Sequence, residues 1–335
     1  METERRITKL RTEKPNDLDE IEETKQRRKL LKLLGTTIAW MMLEFDRSYI
    51  RNFARGHAPG FIIGKKGFEL ELLALKTAFE FRNSAAVLHD ITNCLLIGDL
   101  SVVSPKGILT LELKLKKEKK KADRRERRQK RKAKIIREFY DKGISTKIIP
   151  GLKSIRHISE KRDKHNWNEL STVIAEAFKN GYGISIVEKC CIYCAFKNDG
   201  PIDKVISYVE LFKDPCFMFG CHDRHIDPGL PSMMPFTCFE IPFSYKEKLL
   251  FREINFCIMI DVNSLRRIIQ ENGYNCRITK SSDGLILEVS SITREKEYVQ
   301  ISEGLIGRLL YECLSVETFI NYIKEVLEKL TKSEI

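Results

Sequence analysis

The residues with the clearest chemical potential lie in a short predicted β-hairpin, GDLSVVSPKGILTLELKLKK, at residues 98–117. The alternation of apolar and polar residues in ILTLELKL is typical of a half-buried strand, and SPKG before it favours a turn. With the Pro-Lys dipeptide at the tip of the turn, Asp99 lies directly opposite Glu112. Opposed side chains have Cβ atoms roughly 4.5–5.5 Å apart, where two carboxylates repel unless a cation lies between them. This register therefore predicts a site for a hard divalent cation.

A lysine and a glutamine extend this predicted site. Lys114 lies two residues beyond Glu112 and so points from the same face of the strand, where an ammonium group would orient water or stabilise charge on a phosphate. Gln129 would face inward from the following helix, on the one mostly uncharged stripe, where a buried amide needs polar partners. The alternative is a solvated strand face without chemistry. A bulge at Gly107 would favour that alternative by rotating Asp99 away.

The elements that must position these residues follow the order helix, three strands, helix, strand. FELELLALKTAFEFR predicts a helix from Phe68 to Arg82, and AAVLHDI, GDLSVV and ILTLELKL predict the three strands. The long basic helix and the strand STKIIP follow. Further along the chain, ISIVEKCCIYCAF predicts a single apolar strand.

The chain divides into three predicted parts. Residues 1–60 form an N-terminal helical region, in which Asp17 caps one helix and a second helix begins after Gly35. Residues 61–195 form the domain that contains the hairpin and the basic helix, and residues 196–335 form a mixed α/β C-terminal domain whose role the sequence does not indicate. The second helix would bury the apolar residues that recur at core spacing: Ile38, Met41, Met42 and Phe45.

Positive charge is concentrated in the helix predicted at residues 116–140. The chain carries a formal net charge of +12, and between Lys116 and Arg137 fourteen of twenty-two residues are Lys or Arg and three are acidic. Such density is self-repulsive and favours a polyanionic partner, bound strongly, with salt sensitivity and without sequence preference. A solvated helix face or a nuclear-localisation tract is the alternative. The candidate phosphate-binding residues are Arg124, Arg125, Arg127, Arg128 and Arg131.

Taken together, Asp99, Glu112-x-Lys114 and Gln129 within an αβββαβ order resemble the PD-(D/E)XK, or restriction-endonuclease-like, nucleases over about residues 68–150. The resemblance implies an α/β core, a mixed sheet flanked by helices. It implies that Asp99 and Glu112 bind Mg²⁺ or Mn²⁺, that Lys114 assists the attacking water and that Gln129 orients the site. The substrate would be a nucleic acid, DNA in preference to RNA. A role in defence against foreign DNA would suit such an architecture by analogy.

Members of this family often add an acid from the first helix. Glu80 is the candidate third metal ligand, with Glu71 and Glu69 as open alternatives, and Asp90 is another acid nearby. Gly98 stands where the family often has a proline.

Two other motifs offer different functions. FIIGKKGFELELL, a Gly-x-x-Gly loop that opens a helix, resembles the nucleic-acid clamp of a KH domain, so a non-catalytic nucleic-acid-binding protein is the alternative function. Cysteines and histidines with partly ligand-like spacing suggest a zinc site, although the apolar pattern around the first cysteines favours free thiols. These residues are Cys191, Cys194, Cys216, Cys221, His222 and His225.

The compartment follows from the apolar segments and the cysteines. METERRITKL contains no apolar core of a secretory signal, and the longest apolar run is too short to cross a bilayer. We therefore expect a cytoplasmic protein with ten reduced cysteines and no membrane partner. A protein partner or a second copy of the chain would bind through the C-terminal domain.

Overall fold

The chain folds as two compact units, each mixed α/β. The first comprises Met1–Ser159 with Asp227–Cys238, and the second Glu160–Ile226 with Phe239–Ile335. This division does not coincide with the predicted boundaries, since the strands between residues 182 and 197 belong to the second unit. The computed structural model describes residues 1–54, 61–82, 84–104, 107–113, 124–142, 144–149, 152–155, 163–197, 200, 204, 207, 216–220, 233–281, 284–294, 298–301 and 303–332.

Helices dominate the start of the first unit. The predicted cap is confirmed, because the carboxylate of Asp17 accepts a hydrogen bond from the backbone amide of Glu20. The first two helices pack together and are joined by an ion pair between Glu4 and Arg28, at 2.7 Å. The helices are α1 (Glu2–Glu13), α2 (Leu18–Met42), α3 (Arg47–Phe53) and α4 (Phe68–Arg82).

The prediction that a new helix begins after Gly35 is wrong, because α2 runs through this residue without a break. Gly35 serves close packing instead. A Cβ atom placed on it would lie 2.1 Å from the carbonyl oxygen of Ile91, in the 3₁₀ turn His89–Ile91. The missing side chain lets α2 lie directly against the turn that carries Asp90.

The predicted core face of this helix is also wrong. Ile38, Met41 and Phe45 are 48%, 61% and 49% exposed, whereas Trp40 and Leu43 are buried. In one continuous helix the angular position of every side chain is fixed. The close approach of Ile91 to Gly35 therefore decides which face of α2 is buried.

The order α4, three strands, α5, strand agrees with the prediction, but the predicted mixed sheet is not formed by the described strands. The first three strands make an antiparallel sheet in the order β1-β2-β3, and β4 pairs antiparallel with β5. The local partner β5 was missed by the sequence reading, although Pro-Gly at positions 150–151, outside the described residues, is a turn signal in the sequence. The elements are β1 (Ala85–Leu88), β2 (Leu100–Ser104), β3 (Gly107–Leu111), α5 (Arg124–Lys142), β4 (Ile144–Ile149) and β5 (Leu152–Ile155).

The described residues of the second unit form two antiparallel sheets, in the orders β6-β7-β9-β8 and β10-β11-β12. Helix α6 packs on the four-stranded sheet, where Leu170, Val173 and Ile174 are fully buried. The elements are α6 (Trp167–Asn180), β6 (Tyr182–Val187), β7 (Cys191–Lys197), β8 (Cys216–Gly220), α7 (Phe243–Leu250), β9 (Ile254–Asp261), α8 (Val262–Glu271), β10 (Tyr274–Ser281), β11 (Gly284–Ser291), β12 (Val299–Ile301), α9 (Glu303–Tyr311) and α10 (Val316–Lys332).

The single strand predicted from ISIVEKCCIYCAF is a hairpin of β6 and β7. Its turn contains Glu188 and Lys189 at φ values of +50° and +62°, a conformation usually given to Asn or Gly. The carboxylate of Glu188 accepts hydrogen bonds from the Asn166 side chain and the Val316 amide, both at 2.8 Å. These tertiary contacts stabilise a turn that has no local sequence signature.

Candidate functional site

The β2–β3 hairpin has the predicted register as far as Leu100, which pairs with Leu111. The regular β-ladder ends at this pair, so Asp99, the residue before Leu100, lies just outside it. The Asp99 amide donates to the carbonyl oxygen of Leu111 at 2.9 Å, and the Asp99 carboxylate accepts from the Leu113 amide at 2.8 Å. Asp99 is thus fixed by the backbone of the segment that contains Glu112.

A glycine allows the chain to turn into Asp99. Gly98 has φ of +86°, and a Cβ atom on it would lie 2.7 Å from the Thr110 side chain and 3.1 Å from the Leu111 carbonyl oxygen. The carbonyl oxygen of Asp99 then accepts from the His89 amide at 2.9 Å. Position 98 therefore has a geometric reason to be glycine.

Three carboxylates from three separate segments converge on one ammonium group. The Nζ atom of Lys65 lies 2.6 Å from Asp90 Oδ2, 2.7 Å from Glu71 Oε1 and 3.4 Å from Asp99 Oδ1. Lys65 belongs to the turn before α4, Glu71 to the first turn of α4, and Asp90 to the 3₁₀ turn after β1. We call these four residues the acid–lysine cluster.

The acid–lysine cluster holds more negative than positive charge in a partly buried place. The side chain of Glu71 is 2% exposed, and its Oε2 atom has no hydrogen-bond partner among the described residues. Burial raises the pKa of Glu71, although Lys65 acts in the opposite direction. One carboxylate oxygen is therefore buried without the partner that such an atom requires.

The ammonium of Lys65 is strongly held in its charged form. Burial alone would lower its pKa, but hydrogen bonds to Asp90 and Glu71, and the charges of Asp90 and Asp99, outweigh burial and raise the pKa above its ordinary value. Lys65 therefore acts as a permanent cation among the three acids.

Helices α1 and α2 hold the turn that carries Lys65. The carboxylate of Glu4 accepts from the backbone amides of Ile62 and Ile63, at 2.9 and 3.1 Å, while its other oxygen pairs with Arg28. The guanidinium of Arg28 also lies over the ring of Phe61, 4.7 Å from its centroid. The N-terminal helices thus support the cluster directly.

A second lysine interacts electrostatically with Asp90, one of these acids. Lys32 of α2 is 8% exposed, and burial followed by the repulsion of Arg28 lowers its pKa to about 8. The negative charges of Asp90 and Glu4 oppose this shift. Near neutral pH this amine exists in both protonation states, unlike an ordinary lysine.

A buried histidine anchors the turn that contains Asp90. The Nε2 atom of His89 lies 2.8 Å from the Ser101 hydroxyl, and the ring contacts Phe53 edge to face. Burial lowers the pKa of His89 to about 4, so the ring is neutral at physiological pH.

The structure separates the acids that the sequence reading grouped. Glu80 is exposed and pairs with Lys76 at 3.7 Å, outside the acid–lysine cluster, whereas Glu71, one of the open alternatives, belongs to the cluster. Nine helical positions rotate a side chain by about half a turn, which places these two glutamates on opposite faces of α4. Glu112 follows β3 and is half-buried, and Lys114 lies outside the described residues.

The basic helix α5 packs on α3 and β4 and buries Ile136 and Phe139. Its predicted phosphate-binding side chains are exposed where the structure describes them, at Arg127, Arg128 and Arg131. The side chains of the other predicted residues on this helix lie outside the described part: Arg124, Arg125 and Gln129.

The residue that sequence reasoning missed is Lys65. It belongs to the GKKG loop, for which the sequence offers a resemblance to a KH clamp or a loop that leads into α4. In the structure Lys65 turns into the acid–lysine cluster and Lys66 is exposed. The available signal was the nearby Glu71, an acid on the apolar part of α4 that needed a cationic partner.

The cysteines suggested for zinc do not share a face. Cys194 packs with Ile192 and Met259 on one side of the sheet, and Cys191 is an odd number of positions away on β7, so it points to the other side. Among the described residues no three His, Cys, Asp or Glu side chains are arranged to hold a metal ion. Other candidate ligands lie outside those residues: Cys221, His222 and His225.

Comparison with known proteins gives no relative. No protein-family model, no curated protein and no solved structure matches the chain. Within the described part of the chain, no helix has the length and apolarity needed to cross a lipid bilayer.

Proposed function

We propose that the chain is a nuclease that depends on a divalent cation and hydrolyses phosphodiester bonds in DNA. The observation that carries the proposal is the convergence of Glu71, Asp90 and Asp99 on one cation beside the β2–β3 hairpin. Acids that repel one another are brought together from three segments, and stability alone does not explain that arrangement.

The chemistry of the donor atoms in the cluster suits Mg²⁺ or Mn²⁺, but their arrangement around Lys65 does not, since among the described residues no three such side chains are placed to hold a metal ion. All three side chains offer carboxylate oxygens, the ligands that hard cations prefer, and one of these oxygens, Oε2 of Glu71, is buried with no hydrogen-bond partner among the described residues. Glu71, Asp90 and Asp99 would hold the cation, with Glu112 as the sequence-based fourth ligand. When bound, such a cation supplies Lewis-acid stabilisation of phosphate charge and a water of lowered pKa.

The other parts of the chain have roles in binding the substrate. The exposed guanidinium groups of Arg127, Arg128 and Arg131 would contact phosphates and contribute affinity without sequence preference. Lys114 would orient the attacking water, as the resemblance to PD-(D/E)XK nucleases implies.

Cleavage of DNA by conservative variants tests this function. Purified chain is incubated with plasmid and single-stranded DNA in Mg²⁺ or Mn²⁺, and Asp99→Asn should reduce cleavage by about 100-fold or more while leaving DNA binding intact. Glu80→Gln is the matched control, because it removes an exposed acid whose ion pair with Lys76 lies on the surface of α4. Equal cleavage by the parent and Asp99→Asn would refute the proposal.

A non-catalytic nucleic-acid-binding protein is the second candidate. The spacing of the acids favours it, because they surround an ammonium at 2.6–3.4 Å. On that view the cluster only braces the turn, and α5 alone provides the function. Salt-sensitive DNA binding with no cleavage in either cation would support this candidate.

A further inference from the structure

The position that a metal ion would take between the three acids is held by the chain's own cation. Lys65 Nζ contacts one oxygen each of Asp90, Glu71 and Asp99, and the shortest of these contacts is 2.6 Å. Mg²⁺ requires oxygens at about 2.0–2.1 Å and in larger number. The same carboxylates therefore cannot serve the ammonium and a metal ion at the same time.

We propose that Lys65 is a built-in competitor for the divalent cation, which can be bound only after the ammonium leaves the acid–lysine cluster. This inference rests on the proposed function, and it names the regulation of that same site. The ammonium stabilises the metal-free chain by neutralising acids that would otherwise repel, and it sets the metal concentration at which the site fills.

The surroundings of Lys65 allow the side chain to move while the backbone stays. The turn is closed by the Lys65 amide, which donates to the Ile62 carbonyl oxygen at 3.1 Å, and the Ile62 amide is itself anchored on Glu4. The side chain is 29% exposed, the most exposed in the cluster, and its four-carbon stem has several rotamers. The ammonium can therefore turn toward solvent, or toward a phosphate, without unfolding the turn.

Metal affinity measures the competition without reference to activity. Mn²⁺ binding is titrated by calorimetry for the parent, Lys65→Met and Lys65→Gln, and each substitution at this position should tighten binding by about tenfold or more. That factor follows if the ammonium occupies the cluster for over about nine-tenths of the time, since apparent affinity scales with the competent fraction. The matched control is Lys66→Met, an exposed lysine of the same loop, which should bind Mn²⁺ as the parent does.

Thermal unfolding supplies a second readout. In EDTA both Lys65 variants should melt several degrees below the parent, and Mg²⁺ should raise their melting temperatures more than that of the parent. Unchanged or weaker Mn²⁺ binding by both variants would overturn the inference, and no binding by any chain would overturn it together with the metal-dependent function. Tighter binding without DNA cleavage would support the competition and refute only the nuclease.

Discussion

Each unit of the chain encloses a cluster of charged side chains, and the two clusters are built differently. In the first unit Lys65 faces three carboxylates. In the second unit Arg308 pairs with two carboxylates, those of Glu312, at 3.0 Å, and Asp163. The Tyr322 hydroxyl donates to Asp163 at 2.7 Å. We call these four residues the arginine cluster. Through Asp163, the arginine cluster connects the segment before α6 with helices α9 and α10.

The difference lies in which cation is used and what remains unsatisfied. A guanidinium is planar and fixes its partners with several donors, whereas an ammonium is a point charge on a flexible stem. The side chain of Arg308 is 5% exposed and that of Lys65 is 29% exposed. This contrast, together with the Glu71 oxygen that has no hydrogen-bond partner in the described part of the chain, agrees with a structural role for the arginine cluster and with the proposed exchange of the cation in the acid–lysine cluster.

The largest expected effect is the loss of folding stability when the cation of the arginine cluster is removed. Arg308→Met should lower the free energy of unfolding by about 3–5 kcal/mol, because it leaves the fully buried carboxylate of Glu312 without its cation. Urea unfolding in EDTA and in Mg²⁺ measures the loss, which Mg²⁺ should not restore. Lys324→Met, which removes an exposed pair with Glu328, is the control and should change little. A loss at Arg308 no larger than the control would remove the structural role assigned to this cluster.

The second prediction concerns repulsion among the acids of the first cluster. Lys65→Met leaves three carboxylates facing one another, and adding Asp90→Asn removes one of those charges. The double variant should therefore be more stable in EDTA than the sum of the single effects predicts, by about 1–3 kcal/mol. A double-mutant cycle in urea gives this coupling. Strict additivity would mean that Lys65 does not neutralise Asp90.

The third prediction uses pH, since His89 supports the acid–lysine cluster and the arginine cluster contains no histidine. The pKa of His89 is about 4 in the folded chain, below the value of about 6.5 expected when unfolded. The unfolded chain thus binds the extra proton between these pH values, and stability falls as pH drops below about 6.5. From pH 7.5 to 5 the loss should be about 1–2 kcal/mol.

His89→Gln isolates this contribution. The variant is expected to be less stable at every pH, but the part of the pH dependence that belongs to His89 should disappear. Chemical unfolding at pH 7.5, 6.5, 5.5 and 5 gives both slopes, and stopping at pH 5 limits protonation of the nearby acids. Identical slopes for parent and variant would show that His89 is not buried in its neutral form.

Features set by neighbouring residues could be predicted from the sequence. The alternation in ILTLELKL and the turn signal in SPKG gave the register of β2 and β3, which the structure has in five consecutive pairs. The cap at Asp17 and the helix Phe68–Arg82 also follow from local propensity and are present. Within the candidate site, Asp99 was found because it belongs to this hairpin.

Features set by distant segments could not be predicted in the same way. Gly35 reads as a helix break unless the approach of Ile91 is known, and Lys65 reads as a solvated loop residue unless Asp90 and Glu71 are seen around it. Periodicity could not choose between Glu71 and Glu80, because the choice depends on which face of α4 meets the rest of the unit. Tertiary packing decided each case.

The smallest expected effect tests whether burial, and not a short contact, distinguishes the clusters. Lys164 lies 3.0 and 2.9 Å from the two carboxylate oxygens of Glu317, nearly as close as Lys65 lies to its partners, but both side chains are more than 60% exposed. Lys164→Met should therefore change the free energy of unfolding by less than about 1 kcal/mol, and less still in high salt. Urea unfolding at low and high salt measures this. Asp163, the partner of Arg308, is the residue next to Lys164. A loss comparable with that of Arg308→Met would therefore mean that charges hold this whole segment in place. Burial would then no longer explain the difference between the two clusters.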